Sequence, residues 1–100
     1  MFAECKNFNN DLSQWDVSNV ESMNDMFYCC HKFNSDISNW DVSNVNNMEF
    51  MFYSCFNFNI NLSKWNVGDK TNMNRMFDIC NALKDSNNIP DWYNSKYKKI

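Results

Sequence analysis

The feature that most constrains this chain is a 25-residue period. Met1-Phe2, Met26-Phe27, Met51-Phe52 and Met76-Phe77 recur with Cys5, Cys30, Cys55 and Cys80 at one fixed offset, and residues 1–25 and 26–50 are identical at fourteen positions. The columns continue through Phe8, Phe33, Phe58 and Leu83; Leu12, Ile37 and Leu62; Trp15, Trp40 and Trp65; Val17, Val42 and Val67; and Met23, Met48 and Met73. A unit this short cannot cover its own Trp, Met and Phe. It must bury them against its neighbours, which requires about three units or more.

Within a unit the apolar spacing changes character. Leu12, Trp15, Val17 and Val20 follow L-x-x-L-x-L-x-x-hydrophobic, a leucine-rich-repeat strand pattern with Trp15 and Val17 on one face. Val20, Met23, Met26, Phe27, Cys30 and Phe33 then run at steps of three and four behind Ser18 and Asn19, which predicts an N-capped helix of about three turns. The expected fold is therefore an α/β leucine-rich-repeat-like solenoid of about three and a half coils, with short parallel strands on one side and helices on the other. The units are 1–25, 26–50, 51–75 and a partial 76–83. The strict phase slips after Leu83, and residues 84–100 are read as a C-terminal cap. Ile89-Pro90-Asp91-Trp92 brings Trp92 back toward the Trp column two residues late. Pro90 with Lys96, Lys98 and Lys99 suits the blocking of an exposed edge.

Composition narrows the function. A net charge of −3 supplies no broad cationic field for a phosphate backbone, so nucleic acid is not an expected partner. No run approaches the ~20 apolar residues of a membrane span, and the N-terminus has no secretory pattern, so a soluble chain without membrane insertion is expected. One Gly and one His leave little for a phosphate loop or a two-His metal site.

The pattern M-F-x-x-C-x-x-F-N-x-[DN]-[LI]-S-x-W-[DN]-V-[SG]-[ND], covering residues 1–83, resembles the BspA-like leucine-rich-repeat surface proteins. The resemblance implies an adhesion or protein-interaction role at a cell surface, and supplies no catalytic residues. The expected function is thus a non-catalytic interaction module, monomeric or part of a longer array, with another protein as partner and no cofactor. The alternatives are a purely structural segment of a longer repeat protein and, remotely, a metal or thiol site at Cys29, Cys30 and His31.

Cys5, Cys30, Cys55 and Cys80 are expected in the core with Phe8, Phe33, Phe58, Met23, Met48, Met73, Trp15, Trp40, Trp65 and Trp92, since free Cys packs as a small hydrophobe. Asn9, Asn34 and Asn59 suit a side-chain ladder between units. The outward strand positions Gln14, Asp16 and Ser18, then Asn39, Asp41 and Ser43, then Lys64, Asn66 and Gly68 form the candidate partner face. Asp16 and Asp41, and likewise Asp11 and Asp36, would stand side by side there as like charges, so either local hydrogen bonds satisfy them or they hold a cation or a basic partner. The calcium-roll pattern is missing, and Asn61-Leu62-Ser63 matches a glycosylation acceptor only incidentally.

Overall fold

Where the backbone N–H groups of residues 21–30 go decides the architecture. In the computed structural model, which describes residues 2–97 and side chains up to residue 94, these donors alternate. Met23, Asp25, Phe27 and Cys29 donate to the carbonyls of Asn47, Glu49, Met51 and Tyr53 in the next unit. Met26, Tyr28 and Cys30 donate back along the chain to Met23, Asp25 and Phe27, three residues earlier. A helix would send every one of these bonds to the residue four back.

The expected helix over 20–33 is therefore not formed. Each i to i+3 closure is a turn, and the third residue of the turns 23–26 and 27–30 is left-handed: Asp25 (φ 59°) and Cys29 (φ 59°), repeated at Phe50 and Ser54 and again at Arg75 and Ile79. A positive φ confined to that position marks a type II turn. The apolar steps of three and four reflect consecutive turns, which place Met23, Met26, Phe27, Cys30 and Phe33 inward as a helical stripe would.

The expected parallel strands are not formed either. Among the described residues there is no strand, only isolated parallel bridges from Ser22 to Asn47 and from Asn47 to Asn72. Pairing between units runs through the half read as helix, and the half read as strand has no backbone ladder. That half is joined by side chains: the Trp40 indole N–H donates to the Leu12 carbonyl at 3.0 Å, Trp65 to Ile37 at 3.0 Å, and Ser35 Oγ accepts from the Leu12 N–H at 2.9 Å. The α/β leucine-rich-repeat solenoid is thus replaced by a turn-built body with a radius of gyration of 12.3 Å and extents of 33 × 31 × 19 Å.

Among the described residues, regular helix occurs only where the repeat breaks down, in α1 (Asn81–Asp85) and α2 (Asp91–Tyr97). Pro90 opens α2, with its carbonyl accepting from the Tyr93 and Asn94 N–H groups, and Asp91 adds a favourable charge to the first turn. Trp92 stacks on Trp65 at 6.3 Å and donates its indole N–H to the Leu62 carbonyl at 3.0 Å, continuing the Trp column. Met1, Lys98 and Lys99, and the side chain of Lys96, lie outside the described residues.

The core is two stacks of rings. Phe2, Phe27, Phe52 and Phe77 follow one another at 5.7, 5.6 and 5.5 Å, and Phe8, Phe33 and Phe58 at 5.9 and 5.7 Å. Within a unit the two stacks touch, Phe27 on Phe33 at 4.0 Å and Phe52 on Phe58 at 4.4 Å. Met48, Met51, Ile37, Leu62 and Leu83 close around them with no exposure. Trp15 and Cys5 depart from their expected core places: Trp15 is 44% exposed and Cys5 is exposed, against 4% for Trp40 and Trp65. Among the described residues their unit has a neighbouring unit on one side only, and Trp15 meets just the Phe2 ring, at 5.7 Å.

Candidate functional site

The expected polar face is chemically occupied by itself. Asp16 Oδ1 accepts from both the backbone N–H (3.0 Å) and the hydroxyl (2.6 Å) of Ser18, and Asp41 does the same with Ser43 at 3.1 and 2.6 Å. Asp36 pairs likewise with Ser38, and Asp11 accepts from the Ser13 N–H. The hydroxyl bonds first, and the backbone bonds second, hold the carboxyls of Asp16, Asp36 and Asp41 below their ordinary range. For Asp11 the backbone bond leads. Like-charge repulsion, Asp16 on Asp41 and Asp11 on Asp36, is the weakest influence. Gln14, Asn39, Lys64, Asn66 and Gly68 are exposed around these turns, and Ser18 is half-buried. They do not sit on a paired sheet.

The asparagine column joins units directly. Asn9 Oδ1 accepts from the Asn34 N–H at 2.7 Å, Asn34 Oδ1 from the Asn59 N–H at 2.8 Å, and Asn59 Oδ1 from the Asn88 amide at 2.9 Å. Its oxygens are committed to the fold.

Cys29, Cys30 and His31 diverge. Cys30 is fully buried and its thiol donates to the Phe2 carbonyl at 2.9 Å, while Cys55 and Cys80 repeat that bond to Phe27 and Phe52. Burial pushes the Cys30 thiol up to about 11 and the Cys80 thiol up to about 12, and raises Cys55 further. These thiols are protonated, weakly nucleophilic packing groups. Cys29 sits half-exposed on a turn, and His31 stacks on Phe56 at 4.3 Å and 19°. Among the described residues no three His, Cys, Asp or Glu side chains converge as a metal site, and no helix is long and apolar enough to cross a membrane.

What the structure does bring together is aromatic. Tyr28 and Tyr53, one period apart, stack at 5.2 Å and 14°, and Phe50 stands edge-on to both, at 6.0 Å (81°) and 5.5 Å (69°). All three are only half-buried, and Phe56 beside them in sequence is 37% exposed under His31. The turns explain this placement. Tyr28, His31, Phe50, Tyr53 and Phe56 hold central positions of the turns that close at Cys30, Phe33, Met51, Cys55 and Phe58, and none of the five is fully buried. The Tyr28 phenol is raised by the Cys29 thiol first, then by desolvation and Tyr53, and last by Glu4 and Asp25.

This turn face was not found from the sequence, although a signal existed. Its columns are the ones whose chemistry changes from unit to unit: Ala3, Tyr28, Tyr53 and Asp78; Asp25, Phe50 and Arg75; Lys6, His31, Phe56 and Asn81. Positions that vary while their neighbours repeat are not needed for stacking, and large rings at such positions are free to meet something else.

Among curated proteins and solved structures, none matches this chain. A family match spans residues 1–99, covering all the repeat units and both helices. The chain belongs to the family described as Mycoplasma protein of unknown function, DUF285.

Proposed function

We propose that this chain is a non-catalytic protein-interaction module of the adhesion type, binding through its aromatic turn face. The observation that carries the reading is the cluster of Tyr28, Phe50 and Tyr53 with His31 and Phe56 beside it, rings left at the surface by units that bury their repeat-column rings Phe27, Phe33, Trp40, Phe52, Phe58 and Trp65. Tyr and Phe are the residue types that anchor interfaces, because they bring large contact area with few rotatable bonds. Backbone bonds to the next unit fix the turns beneath them, so little ordering cost remains for binding. The motif resemblance to BspA-like surface proteins supports the same role and, with it, a location at the cell surface.

The test is selection of binders from a displayed peptide library, followed by two variants. Phe50→Ser with Tyr53→Ser should abolish recognition by most binders, while Asp16→Lys with Asp41→Lys should leave it intact. Binders that survive the first pair and are lost with the second would return the partner surface to the polar face.

A second reading, a structural segment within a larger repeat assembly, is favoured by one feature. A groove of about 460 Å³ beside the exposed Trp15 is lined by Val17, Val20, Met23 and Met26. Appending a copy of residues 26–50 ahead of Met1, in phase with the repeat, should raise the urea midpoint if that groove seats a further unit. An unchanged midpoint would dispose of this reading.

A further inference from the structure

Tyr28 is half-buried, and among the described residues a single ring, Tyr53, stacks parallel to it. Tyr53 stacks on it from the following unit, and the Cys29 N–H bonds the Tyr53 carbonyl beside that stack. On the other side the same backbone contact recurs, Glu4 N–H to the Tyr28 carbonyl, but the residue in the tyrosine position is the exposed Ala3. A methyl group cannot cover a phenol ring.

Carboxylates border that open face. Glu4 follows Ala3 directly, and Asp25 occupies in its unit the place that Phe50 holds beside Tyr53. Both act electrostatically on the Tyr28 phenol. Neither carboxylate has an ion-pair or hydrogen-bond partner among the described residues, whereas Asp78, at the equivalent of the tyrosine column, is paired with Arg75 at 3.8 Å. An aromatic face is electrostatically negative, and two unpaired carboxylates beside it add to that field.

From this juxtaposition we infer that the open face of Tyr28, bordered by Glu4 and Asp25, receives an arginine side chain of a protein partner. The inference rests on the interaction reading and names the chemistry of the partner. Arginine fits better than lysine because a planar guanidinium lies flat as the next layer on the stacked Tyr53 and Tyr28 rings, while its N–H fork reaches carboxylates at the edge. The net charge of −3 favours approach of such a segment.

The experiment is an NMR titration of the full chain with end-blocked tetra-arginine, tetra-lysine and tetra-citrulline peptides. The arginine peptide should shift the Tyr28 ring and the Glu4 and Asp25 amides, binding several-fold more tightly than the lysine peptide and weakening as salt is raised. The uncharged citrulline peptide should leave those resonances in place. Ala3→Tyr fills the open face with the chain's own ring and should lower arginine-peptide affinity about tenfold with the urea midpoint retained. Glu4→Gln with Asp25→Asn should lower it by about three- to tenfold. Equal shifts with citrulline, binding indifferent to Ala3→Tyr, or perturbation confined to the Asp16 and Asp41 turns would overturn the inference. A selected binder that depends on Phe50 and Tyr53, carries no arginine and ignores Ala3→Tyr would overturn it too, while leaving the interaction reading in place.

Discussion

Raising the pH should unfold this protein earlier than its composition suggests, through its buried thiols. Cys55 and Cys80 are buried and each donates its S–H to a carbonyl of the preceding unit. Burial holds Cys80 up to about 12 and Cys55 higher still. Unfolded, each thiol ionises near about 8.5. For an acid raised in the folded state, stability is intact below the unfolded value and is lost as pH climbs from there toward the folded one. At pH ~9.5, about one unit above the unfolded value, each thiol lowers stability by about 1 kcal/mol, so the pair removes about 2–3 kcal/mol. That is a large share of the ~5–15 kcal/mol of a small domain. Cys30 acts in the same direction. The assay is urea unfolding followed by tryptophan fluorescence between pH 7 and 9.5, under a phosphine reductant. Cys55→Ala with Cys80→Ala should lower stability at pH 7 and flatten its decline with pH. A double variant whose stability falls with pH as steeply as the parent's would refute the assignment of that decline to these thiols.

In the folded protein Cys5 and Cys29 should react with a thiol reagent at neutral pH, with Cys30, Cys55 and Cys80 protected until urea is added; early labelling of Cys55 would contradict its burial. Trp40→Phe or Trp65→Phe should cost about 2–3 kcal/mol, a buried hydrogen bond plus lost ring volume, while Trp15→Phe should stay within about 0.5 kcal/mol in the same urea assay. Ser43→Ala should move the Asp41 carboxyl titration, followed by carbon NMR, up toward its ordinary value. A carboxyl lowered in the folded state contributes stability above its unfolded value and loses it as pH falls through the folded one, so the variant's acid-side dependence should also soften.

The sequence made the period legible because burial of the Phe, Met and Cys columns demands identical residues in every unit. Phe27, Phe52, Cys55 and Met51 are all fully buried at the places the period assigns them. The path of the backbone was not legible. Steps of three and four describe a helix stripe, but they also describe successive i to i+3 turns, and only the hydrogen-bond partners separate the two. The usual sign of a type II turn, Gly or Asn at the third position, is missing: Asp25, Cys29, Phe50, Ser54, Arg75 and Ile79 stand there instead. The Trp15-x-Val17 alternation likewise reads as strand, yet the Trp indoles carry the bonds a strand backbone would have made. The polar face was legible as chemistry, since the Asp-x-Ser spacing is what closes each carboxylate on its own turn. The aromatic face was not, because once the turns were read as a helix, the outward positions carried no meaning.

One substitution separates the two backbones. Residues 23–26 close a turn from the Met26 N–H to the Met23 carbonyl, with Asn24 and Asp25 as its central pair. The Asn24 N–H has no partner among the described residues, so proline there deletes no backbone bond and removes only the exposed bond that the Ser22 hydroxyl donates to Asn24 Oδ1 at 2.8 Å, and Asp25 already has φ 59°. Proline followed by glycine is the pair a type II turn prefers. Asn24→Pro with Asp25→Gly should therefore leave stability unchanged or raise it by up to about 1 kcal/mol, as the stiffened residue and the relieved left-handed one outweigh glycine's added chain freedom. In a helix over 20–33 the same pair would cost about 4 kcal/mol, roughly 3 for the proline and 1 for the glycine. The two backbones thus predict opposite signs in a single urea curve. A loss of more than about 2 kcal/mol would mean that the Met–Phe half is helical after all, and that the rings of Tyr28, Phe50 and Tyr53 do not share the face on which the interaction reading depends.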